Sequence, residues 1–140
     1  MAIGYHLTNQ TPGVTDMGEL NKLSAFDAVN GIRTKRFTSQ QLMADCISRI
    51  EKREPSVRAW AHFDPDHAMA EAKKADQKQD HGERLGPLHG IPIGIKDVID
   101  AKGMPGENGS PIFANRVPEE DSKAVTQLKN AGAIIMGKTV

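Results

Sequence analysis

Lys96 lies inside the apolar run Ile91-Pro92-Ile93-Gly94-Ile95-Lys96-Asp97-Val98-Ile99, an unusual address for an ammonium group. Burial disfavours the charged form of a lysine, so one held in a dry strand becomes available as a base. Strand side chains alternate between faces. Lys96 therefore shares a face with Gly94 and Val98, while Ile93, Ile95 and Asp97 point the other way. Gly94 leaves room beside the lysine stem, and Asp97 diverges from it. Two uses compete: a functional base, and an edge-strand lysine that blocks strand-to-strand association.

A second pattern is present to the letter. Gly132-Ala133-Ile134-Ile135-Met136-Gly137-Lys138-Thr139 satisfies G-x-x-x-x-G-K-[ST], the phosphate-binding P-loop spacing. A P-loop needs its variable residues as a loop after a strand and before a helix, with N–H groups aimed at phosphate. Here the first glycine closes a helical pattern, and Ala, Ile, Ile and Met read as a strand whose N–H groups join a sheet. Nucleotide binding at residues 132–139 is the weak alternative, and Lys138 reads as a strand-end lysine, exposed or paired. Among the remaining reactive types, Ser110 reads as a loop turn and Ser122 as a helix-start cap. His89 precedes a glycine turn. His62 and His67 flank Asp64 and Asp66, but the aspartates suit a helix start and no zinc-type spacing is present. Cys46 falls on an apolar helix face, which makes it a core residue rather than a nucleophile.

The elements that position these residues follow from period and punctuation. Residues 1–18 are polar, carry glycine and proline, and read as a flexible arm; residues 19–140 form the folded part. Ser24 and Asp27 start a first helix, with Leu23, Phe26 and Ile32 on one face and Asn30-Gly31 as an early stop. Thr38 with Gln41 forms a capping box for the next helix, whose Leu42, Met43, Cys46, Ile47 and Ile50 recur at helical spacing until Glu54-Pro55. Asp64-Pro65 opens a third helix with an Ala68, Ala72, Ala75 stripe, closed by HGERLGP. A strand follows around Ile91–Ile99, then a long glycine- and proline-rich loop. A fourth helix runs from about Glu119 to Ala131, with Val125 and Leu128 inward and Gly132 as its stop, ahead of a short buried strand, AIIMG. Strand, helix, strand implies a parallel βαβ unit. Two strands do not make a stable sheet, so this pattern reads as one piece of a larger one.

Composition narrows the function classes. The 140 residues hold 18 Lys and Arg against 18 Asp and Glu, a formal net charge of zero. Neither sign has the excess expected for nucleic acid or an anionic membrane. No apolar run approaches the roughly 20 residues of a membrane span. One cysteine excludes an intrachain disulfide, and the start lacks the profile of a secretory signal, so a cytoplasmic protein is expected.

The run Leu85-Gly86-Pro87-Leu88-His89-Gly90-Ile91-Pro92-Ile93-Gly94-Ile95-Lys96-Asp97 resembles the opening motif of the amidase signature family. The likeness continues through Gly103-Met104-Pro105, Gly109-Ser110-Pro111, Asp121-Ser122 and the run Leu128–Thr139, and covers roughly residues 20–140. The resemblance implies an α/β fold, with N-terminal helices and the first strands of a mixed sheet in a three-layered arrangement. It implies hydrolysis of carboxamide C–N bonds by a Ser-Ser-Lys triad, without metal or organic cofactor, on a small-molecule or peptide amide. Lys96 takes the position of the lysine base; both triad serines lie in a Gly/Ser-rich stretch that this chain does not reach. The expected chain is thus the N-terminal portion of an amidase, inactive alone, or a non-catalytic piece that packs against a partner. A close relative is the A component of the tRNA-dependent amidotransferases, the one setting with a tRNA partner, where released ammonia passes to a partner subunit. A free lysine, with a pKa near 10.4, serves as a base at neutral pH only when that value falls, which the apolar neighbours of Lys96 are expected to bring about by burial.

Overall fold

A computed structural model describes residues 19–140, and the arm expected over residues 1–18 lies outside the described residues. The first helix, α1 (Ala25–Arg33), is capped by Ser24, whose hydroxyl accepts from the Asp27 N–H. Asn30-Gly31 does not end it. Gly31 is buried, and a Cβ there would stand 2.2 Å from the Phe37 ring, so its bareness serves close packing rather than a stop. The inward face is Ala28, Val29 and Ile32; Phe26 is 76% exposed and Leu23 also faces outward, contrary to the stripe expected from spacing.

Helix α2 (Ser39–Val57) carries the expected capping box: Thr38 Oγ1 accepts from Gln41 N, and Gln41 Oε1 accepts from Thr38 N. Leu42, Met43 and Ile47 are buried, with Cys46 and Ile50 at the margin. The helix passes through Glu54-Pro55 and ends at Arg58 in the left-handed conformation. Proline forfeits one N–H bond but holds a helix-compatible φ, which a packed final turn tolerates. The actual exit is made by Glu54, whose carboxylate accepts from Ala59 N and Trp60 N. Those bonds turn the chain into a strand that periodicity had not revealed, β1 (Trp60–Phe63). Four residues are too few to show an alternation.

Helix α3 (Pro65–Asp80) starts as expected: Asp64 accepts from His67 N, Pro65 occupies the first turn, and Ala68 and Ala72 are fully buried. Strand β2 (Pro92–Lys96) stops short of Ile99 because residues 97–99 turn, with Ile99 N donating to Lys96 O at 2.9 Å. Helix α4 (Lys123–Asn130) starts later than Glu119, at the Ser122 cap, which accepts from Val125 N. Asp121 is spent instead on Lys102 N and Lys129 Nζ. Gly132, at φ 91°, follows α4 and leads to β3 (Ile134–Thr139).

The sheet has the order β1-β3-β2, with β2 parallel and β1 antiparallel to β3. The parallel βαβ pairing expected from sequence is present, and β2 lies at an edge. Met43, Ile47, Ala68 and Ala72 pack with Ile134 and Met136 on one face. Val125, Ala101 and Met104 pack with Ile95 and Ile135 on the other. This is a mixed α/β architecture, a small mixed sheet between helical layers. Along β3 the register against β2 steps from Ile93–Ile135 to Gly94–Gly137, leaving Met136 as an extra residue. Such a bulge reverses the alternation beyond it. It delivers Lys138 to the face of Ile135, where the loop after β2 lies.

Candidate functional site

Lys96 is the last residue of β2 and is exposed, opposite Thr139 in the register. Its carbonyl accepts from Ile99 N, and the residues on either side are held by Thr139: Asp97 N donates to Thr139 O at 2.8 Å, and Thr139 Oγ1 donates to Ile95 O. Lys96 lines a small cleft with Ala61, Asp97, Pro105, Glu107 and Gly109. The cleft opens at the carboxyl ends of the two parallel strands, the end at which open α/β sheets bind ligands. The burial expected around Lys96 is absent, because no strand pairs with β2 on its outer side among the described residues. The room expected beside its stem is also filled. A Cβ at Gly94 would stand 2.7 Å from the Trp60 ring, so Gly94 and Gly137 together make space for that indole across the sheet.

Of the two states expected for Lys138, exposed or paired, the structure shows the paired one, and the residue is fully buried. Its Nζ donates to Asp97 O at 2.9 Å and to Pro105 O at 3.4 Å, and lies 4.0 Å from Asp97 Oδ1. Burial pushes its pKa below the usual lysine value, while the Asp97 and Asp100 carboxylates pull it back. Asp97, 6% exposed, also accepts from Glu107 N and Gly109 N. Beside it, Arg116 grips Asp100 through both guanidinium nitrogens and donates to Gly106 O. That grip holds the Asp100 carboxyl below, and the guanidinium above, their ordinary values. Sequence reading missed this layer under the cleft; the apolar context of Gly137-Lys138 was the available signal.

The P-loop reading is overturned by geometry. Residues 134–139 are strand, Ile134 N donates to Ile91 O at 2.8 Å, and the Lys138 ammonium is turned into protein rather than toward an open phosphate site. Ser122 caps α4 and Ser110 caps the short 3-10 turn Pro111–Phe113. His89 is buried, with Nε2 donating to Ala75 O; burial pushes its pKa below the usual histidine value, against that hydrogen bond. His62 lies on β1 opposite Lys138, and His67 gives its N–H to the Asp64 cap. Among the described residues no cluster of three His, Cys, Asp or Glu is placed to hold a metal. The Cys46 thiol is pushed up to about 11 by burial and by Asp45, which keeps it protonated in the core. A larger hollow, of about 660 Å³, lies at the start of β3 against α3. Two of its lysines are spent on Glu71 and Asp121, and it is remote from Lys96 in the register.

The family model described as Amidase matches residues 41–140. The chain is 40% identical over 122 residues to the A component of the glutamyl-tRNA(Gln) amidotransferase of Chloroflexus aurantiacus, covering 87% of this chain and 25% of that protein. It is 35% identical over 127 residues to a putative amidase, AmiD, of Mycobacterium tuberculosis, covering 91% and 27%. It superposes on the native peptide amidase of Stenotrophomonas maltophilia with a TM-score of 0.78 and 32% identity, covering 84% of this chain and 24% of that one. The chain therefore spans about a quarter of the length of the curated relatives it matches. Motif, parallel strand pair and matched length agree, and the chain belongs to the amidase signature family.

Proposed function

We propose that this chain supplies the lysine-bearing, N-terminal quarter of an amide hydrolase, and that Lys96 is its base. The observation that carries the reading is the position of Lys96, at the carboxyl end of the parallel pair, in a cleft whose far wall is the Pro105–Gly109 loop. An amine there accepts a proton from a hydroxyl, and that hydroxyl activates a second one for attack on the amide carbon. In the family's Ser-Ser-Lys scheme both hydroxyls are serines. Attack gives a tetrahedral intermediate, and its collapse releases ammonia or amine and leaves an acyl-enzyme for water to hydrolyse.

None of the serines described in this chain is offered as a partner. Ser24, Ser110 and Ser122 are caps, Ser39 donates to Gly90 O, Ser56 donates to Arg53 O, and Ser48 lies within α2. We infer that the serines, and the cover that would dry Lys96, come from protein packed over the open edge of β2. A reducing, cytoplasmic setting accords with the single, core-facing Cys46. Among the described residues no helix is long and apolar enough to cross a membrane.

A second reading is favoured by the 40% identity to the amidotransferase component. There the amide would be a donor whose ammonia passes to a partner protein. The neutral net charge adds no electrostatic footprint for tRNA on this part.

The test is amide turnover in a protein whose peptide amidase quarter is replaced by residues 19–140. Hydrolysis of a peptide amide is expected, and Lys96→Ala should lower kcat by about 10²–10⁴-fold, the range for a lost acid–base group. Full turnover by the Lys96→Ala form would sink the assignment.

A further inference from the structure

A buried ion pair is expensive to desolvate, and replacing both partners by apolar residues is often neutral or stabilising, so the presence of Lys138 beside Asp97 invites a reason beyond stability. Lys138 reaches its place only because the bulge at Met136 reverses the alternation of β3. Its ammonium has three protons, and its acceptors belong to two segments: Asp97 O, in the turn directly after Lys96, and Pro105 O, in the opposite wall of the cleft. The Asp97 carboxylate, 4.0 Å away, reaches across the same gap to Glu107 N at 3.3 Å and Gly109 N at 3.2 Å. The pair thus ties the strand end that carries Lys96 to the loop that faces it. Arg116 closes the arrangement from outside through Asp100 and Gly106 O.

We propose that Lys138 and Asp97 are positioning residues for Lys96, a buried brace that fixes the strand end carrying the base against the Pro105–Gly109 wall of its cleft. Neither side chain touches substrate in this assignment. The inference rests on the reading of Lys96 as the base, but its structural content is measurable without turnover. The ammonium acts at the backbone of the residue next to Lys96, so losing it frees the Asp97 carbonyl and lets the turn over residues 97–99 drift. Losing the Asp97 carboxylate frees the loop wall directly.

The experiment uses the whole 140-residue chain, labelled with ¹⁵N and ¹³C, as Lys138→Met and as Asp97→Asn. In the unmodified chain the amides of Asp97, Glu107 and Gly109 are expected to exchange slowly. In Lys138→Met, exchange at Glu107 and Gly109 should rise at least tenfold while Ile47 and Ala72, in the distant core, keep their protection. The Lys96 ¹³Cε resonance should shift or broaden in both variants. Two results overturn the proposal: unchanged exchange at Glu107 and Gly109, or faster exchange there with the Lys96 signal unmoved, which makes the pair a loop brace alone. Should Lys138→Met unfold, Asp97→Asn decides by the same two signals. A Lys96 that proves dispensable for turnover would fail the base assignment while leaving these spectra as expected, so the two failures are told apart.

Discussion

At the scale of single residues, three titratable side chains among the described residues are buried, and each is satisfied by partners within the fold. Lys138 has carbonyls and a carboxylate, Asp97 has two loop N–H groups and the ammonium, and His89 has one carbonyl. His89 yields a pH prediction with a definite sign. Its folded pKa lies below the ordinary 6.5, so between the two values the unfolded chain binds more protons. Its contribution is fully present above pH 6.5, is lost as pH falls from there toward the folded value, and changes no further below it. Urea unfolding at about pH 7.5 and about pH 5, on either side of that ordinary value, should show the unmodified chain losing more stability than His89→Gln. An equal loss in both would show that His89 does not carry the slope. Lys96 is a contrasting case, since the chain gives it a fixed backbone and an exposed amine.

At the scale of elements, the sheet is held by close approaches that only glycine permits. A Cβ at Gly137 would stand 2.3 Å from His62 O, a backbone atom of β1 that cannot yield without breaking the pairing, and 2.9 Å from the Trp60 ring. Gly137→Ala should destabilise the fold by roughly 1–3 kcal/mol, the range for overpacking, and at its upper end because backbone is involved. Thermal unfolding gives the magnitude, and fluorescence of Trp60, the chain's one tryptophan, reports whether β1 has left the sheet. The helices depend on caps instead. Thr38→Ala removes the acceptor for Gln41 N and should cost about 1 kcal/mol, read from the urea midpoint. The caps were legible because a hydroxyl, a glutamine three residues on and an apolar period are all local signals. The bulge at Met136 was not, since it exists only relative to β2. For the same reason β1 was missed: its four residues are a strand because β3 accepts them.

At the scale of the whole molecule, Lys96 stands exposed at the end of an edge strand, beside a cleft wall tied to the buried Lys138–Asp97 pair. Among the described residues no serine shares the Lys96 cleft. The 140-residue chain assayed alone should therefore give no hydrolysis of peptide amides above the uncatalysed rate. Turnover by the isolated chain that Lys96→Ala abolishes would mean that a nucleophile other than an added serine operates here. Exposed Val98 and Val140 near the cleft end of β2 and β3, at 56% and 64%, mark the same open region.

The sequence by itself determined the family, through a contiguous motif around Lys96. It also determined the helix order, the starts of α1, α2 and α3, the parallel pairing of β2 with β3, and the structural roles of Ser122 and the Asp64-Pro65 step. These are local patterns, and local patterns are written in neighbouring residues. Only the tertiary structure decided which lysine is buried. Lys96 looked dry because its sequence neighbours are apolar, yet burial depends on what lies across the sheet, and β2 is an edge. Lys138 looked like a strand end, yet a bulge set by pairing turns it under the cleft, where Asp97 receives it.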